Sequence, residues 1–271
     1  MKIKKNQELT KQEEYVREHK RHHHQISSWR FFIFTLFLVL WEVSAAMNWS
    51  DSFFFASPSR VVLCLVEQFR NNHMLTHIGV TLFETLISFL LVILFSLLTA
   101  TLLWYSQKLS EILEPYLVVL NSLPKSALAP LFIVWLGTGT TTIVVAGISV
   151  AVFGSVISLY TGFQQVDSEK VTLIYTLGGR KRDAFFKVVL PGSLPTLLST
   201  AKVNIGLALV GVIIGEFLAA RRGLGYLIIY GSQVFRLDMV ITSIIILCII
   251  ALGFYKSIQV LEHQIKKDFK M

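Results

Sequence analysis

Six apolar runs, at 31–47, 78–105, 112–136, 142–160, 197–218 and 239–255, constrain this chain more than any other feature. A bilayer core about 30 Å thick takes roughly 17–25 mostly apolar residues per helix, so each run is long enough to cross once. Lipid offers the backbone no hydrogen bonds, which leaves helices or a closed barrel as spanning forms. Barrel strands would alternate in polarity, and these runs do not. Composition agrees: 54% of the residues are hydrophobic and 15% charged, too little charge to cover a water-exposed surface of this size. The expected fold class is an all-α integral membrane protein with six transmembrane helices.

Lysine and arginine orient the spans. Of the 25 in the chain, eighteen fall in the N-terminal stretch through Arg30, the turn at 106–110, the 164–192 loop and the tail from Lys256. The alternate connections carry five: Arg60, Arg70, Arg221, Arg222 and Arg236. This bias places both termini and the 164–192 loop in the cytoplasm, with the chain multi-pass in the cell membrane. The net charge of +8 then needs no nucleic-acid partner, because anionic lipid at the inner leaflet accounts for it. The organisation reads as a basic tail over 1–28, a six-helix domain over 29–265 and a short tail over 266–271. The triplet His22–His24 reads as part of the solvated tail.

Several local signals refine the spans. Ser57 followed by Pro58 marks a helix start, and Val61, Val62, Leu65, Val66 and Phe69 recur on one face, as in a short amphipathic helix on the outer surface. Glu84 lies one turn inside the second run and is expected to snorkel or to pair with Arg60 or Arg70. Ser96 and Ala100 form a small-xxx-small pair suited to close helix packing. The third run holds Pro115, Pro124 and Pro130, so its helix should kink or break at mid-membrane. Lys125, beside the middle proline, should face a carboxylate such as Glu84 or Glu216, or else an aqueous path. The LGTGTTT run at 136–142 is a tight outer turn. Cys64 and Cys248 lack ligand spacing and read as small buried apolar residues.

No GxxxxGK[ST] phosphate loop is present, so ATP binding of that kind is not expected. The histidines, His19, His22–His24, His73, His77 and His263, lie outside or at the edges of the spans. No catalytic constellation and no metal site follow from them. The expectation is a transport component that is not an enzyme and binds no cofactor of its own.

The polar interruption at 168–195 is the segment that points outside the bilayer. Asp167 or Ser168 can cap a helix with Val171, Ile174 and Leu177 as one apolar stripe, and Gly178-Gly179 can end it. A second helix follows, basic at Arg180, Lys181 and Arg182, with Ala184, Phe185, Val188 and Val189 on its inner face. Thr176-Leu177-Gly178-Gly179 and, beginning eleven positions after Gly179, Leu190-Pro191-Gly192-Ser193-Leu194-Pro195 resemble the cytoplasmic EAA loop of binding-protein-dependent ABC import permeases. Other motifs occur in the right order: Pro58-Ser59-Arg60-Val61, His77-Ile78, Thr81-Leu82, Pro124 to Leu131, Trp135-Leu136-Gly137, Gly215-Glu216-Phe217 and Gly223-Leu224-Gly225. Together they are similar to the subfamily that imports sulfonates, taurine, nitrate or pyrimidine-type compounds, over roughly 55–265.

The resemblance implies a permease subunit of the type I importer kind that pairs with a second copy of itself. Two ABC ATPase subunits would bind ATP and magnesium and dock on Ser168, Glu169, Val171, Thr172, Ile174, Tyr175, Leu177, Gly178 and Gly179. An extracellular binding protein would deliver a small, polar or anionic solute near Arg221–Leu224. Asn121, Lys125, Asn204 and Glu216 are the polar candidates for the path, with Pro124 at the break beside them. The chain departs from the family where the Glu-Ala-Ala triplet falls on Thr172-Leu173-Ile174, so the family's glutamate is absent. It departs again at Glu84, where relatives often carry a basic residue, and at Ser88, where they often carry glycine. The competing classes are an ion-coupled secondary transporter relaying through Glu84, Lys125, Lys202 and Glu216, and a membrane enzyme or scaffold. The first commonly shows internal repeats, which the two halves lack.

Overall fold

A computed structural model describes residues 11–46, 56–70 and 73–268, which fall into two units, 1–63 and 64–271. The first unit holds α1 (Lys11–Ala46) and the start of α2 (Pro58–Arg70). No glycine or proline interrupts 11–46, so α1 runs unbroken from the polar stretch through the apolar window at Ser28–Ala45. The described part of the expected tail, 11–28, is therefore helical throughout. Ser57 caps α2 by accepting the Arg60 N–H at 3.3 Å, and Ser59 donates from its backbone and hydroxyl to Glu42 at 3.1 and 2.8 Å.

The second unit continues through α3 (His73–Tyr105), α4 (Gln107–Ser122), α5 (Lys125–Leu136) and α6 (Thr140–Gln164). After α6 come α7 (Ser168–Thr176), α8 (Lys181–Ala184), a π-helical turn (Phe185–Val189) and α9 (Leu190–Gly192). The chain ends with α10 (Leu194–Ala219), α11 (Leu224–Gln233) and α12 (Leu237–Asp268). Among the described residues, α1, α3, α6, α10 and α12 are long and apolar enough to cross a membrane. The pair α4–α5 makes a sixth span if its two bent halves count as one. All six apolar runs thus correspond to helices.

The third run breaks at a single place. Its halves meet at 96°, with Leu123 and Pro124 extended between them. A proline disfavours helical backbone in the residue before it, and its ring displaces the hydrogen-bond ladder. Pro115 and Pro130, by contrast, are accommodated inside α4 and α5. Lys125 donates to the carbonyls of Leu120 and Asn121, which the break leaves without helical partners, and its ammonium lies 5.2 Å from the centre of the Phe153 ring. The lysine thus caps the broken helix instead of pairing with Glu84 or Glu216.

The centre of the unit is the packing of α6 against α10 and α3. Gly147 on α6 meets Gly211 on α10 so closely that a Cβ on Gly211 would lie 2.8 Å from the Gly147 Cα. A Cβ on Gly215 would lie 2.9 Å from the Ile143 Cα. Lipid gives helices no hydrophobic reason to associate, so small residues that let backbones meet supply the dispersion contacts instead. On α3, Ser88, Ser96 and Ala100 are fully buried, and Ser88 lies where a side chain on Gly147 would collide. A buried Asn204–Ser155 hydrogen bond of 2.7 Å adds a polar tie between α10 and α6. Cys64 is buried beside Met74, Leu224 and Met239, and that burial pushes its thiol up; Cys248, expected to be buried, is exposed on α12.

The glycine contact yields a test. Gly211→Val over-packs a site with no room and should cost about 1–3 kcal/mol. Gly206→Ala adds a methyl that meets nothing within 4 Å and should leave stability unchanged. Thermal melting followed by size-exclusion chromatography in detergent compares the two.

Candidate functional site

Helix α7 projects from one end of the bundle between α6 and α8. Asp167 caps it by accepting the Glu169 N–H at 2.9 Å, and the Thr172 hydroxyl donates back to the Ser168 carbonyl at 2.9 Å. Two glycines end it for different reasons. Gly178 takes φ of +82°, which favours a residue without a side chain, and Gly179 closes the turn with its N–H on the Ile174 carbonyl at 2.8 Å. A Cβ on Gly179 would lie 2.8 Å from that carbonyl oxygen.

The segment after the glycines is anchored firmly. Phe185 is buried between Trp104, Tyr105 and Phe163, with ring centres at 5.1, 5.6 and 5.5 Å. Val171 from α7 packs against the same cluster. Lys181 donates to the Tyr105 carbonyl at 3.0 Å and sits 5.5 Å over the Trp104 ring. Leu190 donates five residues back, to the Phe185 carbonyl, immediately before Pro191, which has no N–H to extend the ladder. Movement of α7 is thereby tied to the ends of α3 and α6.

The expected stripe of Val171, Ile174 and Leu177 divides in two. Val171 and Ile174 are half-buried against the subunit, whereas Leu177 is 75% exposed. Leu173, four residues before Leu177, is 56% exposed beside it, and Tyr175 is exposed as well. Sequence periodicity missed Leu173, because it occupies the outward side of a helix whose inward side carries the stripe. Ser168, Glu169 and Thr172 are exposed along the same helix. What remains outside is an apolar pair on a short helix with hydroxyl and carboxylate neighbours.

The five candidate path residues do not form one cluster. Asn121 and Pro124 are exposed and Lys125 is half-buried, all at the α4–α5 break. Asn204 is buried in its bond to Ser155. Glu216 is fully buried near the opposite end from α7, taking a hydrogen bond from the Thr81 hydroxyl at 2.6 Å and one from the Gly225 N–H at 2.5 Å. Glu84 does not snorkel: it is buried, and among the described residues no salt bridge reaches it.

A family profile described as binding-protein-dependent transport system inner membrane component matches residues 92–267, which contain the whole α7–α8 segment. The chain belongs to this family. It is 31% identical to a probable ABC transporter permease protein of Haemophilus influenzae, over 84% of this chain and 92% of that one. It is 29% identical to the formylaminopyrimidine transport permease of Halalkalibacterium halodurans, over 71% and 76% of the two chains. A putative aliphatic sulfonates transport permease of Bacillus subtilis is 24% identical, over 85% and 83%. The fold matches the methionine ABC transporter MetNI with a TM-score of 0.61, at 17% identity, covering 70% of this chain and 94% of that one. The chain is thus a multi-pass ABC import permease subunit with the type I importer fold.

Asp183 supplies a pH test of the anchored segment. Its carboxylate accepts the Arg180 N–H at 2.9 Å and lies 3.5 Å from Lys187, and the backbone bond foremost holds it below the usual carboxylate range. A carboxyl depressed on folding adds stability that is complete above its unfolded range and is lost as pH falls through its folded one. Amide protection at 180–184 should therefore drop on acidification in the native chain. In Asp183→Asn it should start lower and lack that step. Hydrogen exchange measured by mass spectrometry distinguishes the two.

Proposed function

We propose that two copies of this subunit form the membrane path of an ATP-driven importer, each docking an ATPase subunit on α7. The carrying observation is the exposed Leu173–Leu177 pair on a helix fixed to the bundle through Phe185 and Lys181. An apolar pair held rigidly in water suits insertion into a groove on a partner. Without the family's glutamate at Thr172, grip comes from shape and apolar contact. ATP and magnesium belong to the partner; this chain supplies the surface that feels the partner close.

The eighteen-to-five distribution of basic residues supports a cytoplasmic α7, cytoplasmic termini and an outer position for the turns at 137–139 and 220–223. An extracellular binding protein would release solute there, beside Arg221 and Arg222. The relatives' names and these two arginines support a small polar or anionic organic solute of the sulfonate, taurine, nitrate or pyrimidine type. In this reading ATP-driven approach of the two α7 helices is passed through the Phe185 cluster to α3 and α6. The subunits then rock about their shared axis in a rigid-body alternation of access.

The test is the double variant Leu173→Asp with Leu177→Asp. Charging two packed interface positions costs about 2 kcal/mol or more, enough to lower recovery of the co-expressed ATPase subunit by more than about tenfold. The variant should still insert and elute as a monodisperse peak, because neither side chain packs inward. Undiminished recovery of the ATPase would refute docking on this face.

A further inference from the structure

At the end of the bundle opposite α7, two acidic side chains from different helices meet inside the protein. Glu84 on α3 is 1% exposed and Glu216 on α10 is 0% exposed, and they meet across the α3–α10 packing, where Thr81, one turn before Glu84, donates to Glu216 at 2.6 Å. The site around Glu216 is closely built. Besides the bonds from Thr81 and Gly225, the Thr81 oxygen accepts the Leu224 N–H at 2.8 Å, and His77 Nδ1 accepts the Gly223 N–H at 2.9 Å. A side chain on Gly223 or Gly225 would run into the Glu216 carboxyl, so the 223–225 loop is moulded onto it.

Glu84 lacks such provision. Its Oε2 is buried and receives no hydrogen bond. Among the described residues no salt bridge reaches either carboxyl. The ionisable groups on the surrounding elements are His77 on α3, Tyr226 stacked on His77 from α11, and Arg221 and Arg222 on the connection after α10. Two carboxylates cannot both stay ionised in contact with each other and away from water, whereas one proton between them turns the contact into a hydrogen bond. A proton bound here also gives Glu84 Oε2, which is buried without a hydrogen-bond partner, a hydrogen of its own. A cleft of about 560 Å³, lined by Glu84, Thr138, Thr140, Arg221 and Arg222 among others, lies beside the pair and gives the proton a way to exchange with solution.

We infer that Glu84 and Glu216 form a proton-binding site, in which one shared proton fastens α3 to α10 and, through Glu216, to the 223–225 loop. Loss of the proton leaves two adjacent charges and loosens this end of the bundle. The site stands independently of ATPase docking on α7, and its test uses this chain alone.

The experiment is infrared spectroscopy of the full chain in nanodiscs, in H2O and D2O, on the native protein, Glu84→Gln and Glu216→Gln. The native protein should show the carbonyl band of a buried protonated carboxyl at neutral pH, shifted in D2O. Each glutamine variant should lose it, since the amide then donates to the remaining carboxylate. Alkaline titration of the native protein should remove the band and lower the melting temperature together, which keeps the test open if a variant folds poorly. A band absent from the native protein, a band unchanged in both variants, or its loss on adding sodium at constant pH would each overturn the proposal.

Discussion

The contact of α6 with α10 at Gly147, Gly211 and Gly215 governs the rest of the molecule. In lipid, two apolar helices gain nothing from hiding apolar surface, so they stay together only where their backbones come close enough for dense dispersion contact. Removing three side chains at one crossing achieves that, and α3 completes the packing with Ser88, Ser96 and Ala100. With these helices fixed, each end of the bundle becomes a defined place. One end holds α7 and the aromatic cluster around Phe185; the other holds the two buried carboxyls and the glycine-rich loop that covers Glu216.

The two ends use different chemistry for different purposes. At the α7 end, attachment is aromatic and apolar inward, with Leu173 and Leu177 left outward. Such an arrangement holds α7 to the ends of α3 and α6 without a salt bridge of its own. At the opposite end, the ties are short hydrogen bonds and an unsatisfied carboxylate oxygen, an arrangement sensitive to the state of one proton. Between them, the broken α4–α5 pair is stabilised by Lys125, which closes carbonyls that lipid could not satisfy.

Much of this was legible in the sequence, and the exceptions have physical causes. All six apolar runs correspond to helices, because run length against bilayer thickness is a strong signal. Pro124, Gly178 and the Ser57 cap act where the chain chemistry places them. Pro115 and Pro130 did not break their helices, since a single bend already reconciles the run with its surroundings. The exposure of Leu173 was hidden because periodicity finds the stripe that packs, not the face left outward. Glu84 was misread for a related reason: an acidic residue near a membrane edge suggests a basic neighbour, and nothing local in sequence shows that the neighbour across the packing is Glu216. Asn204 was legible as polar within a span, but its bond to Ser155 depends on the register of α6 against α10.

In the proposed mechanism this subunit moves solute only when a partner ATPase drives it through α7. Uptake into proteoliposomes carrying the permease, its ATPase subunit and the solute-loaded binding protein tests this directly. Uptake should need ATP inside and the binding protein outside, and should vanish when the ATPase is omitted. Solute uptake by the permease alone under an imposed proton gradient would contradict it.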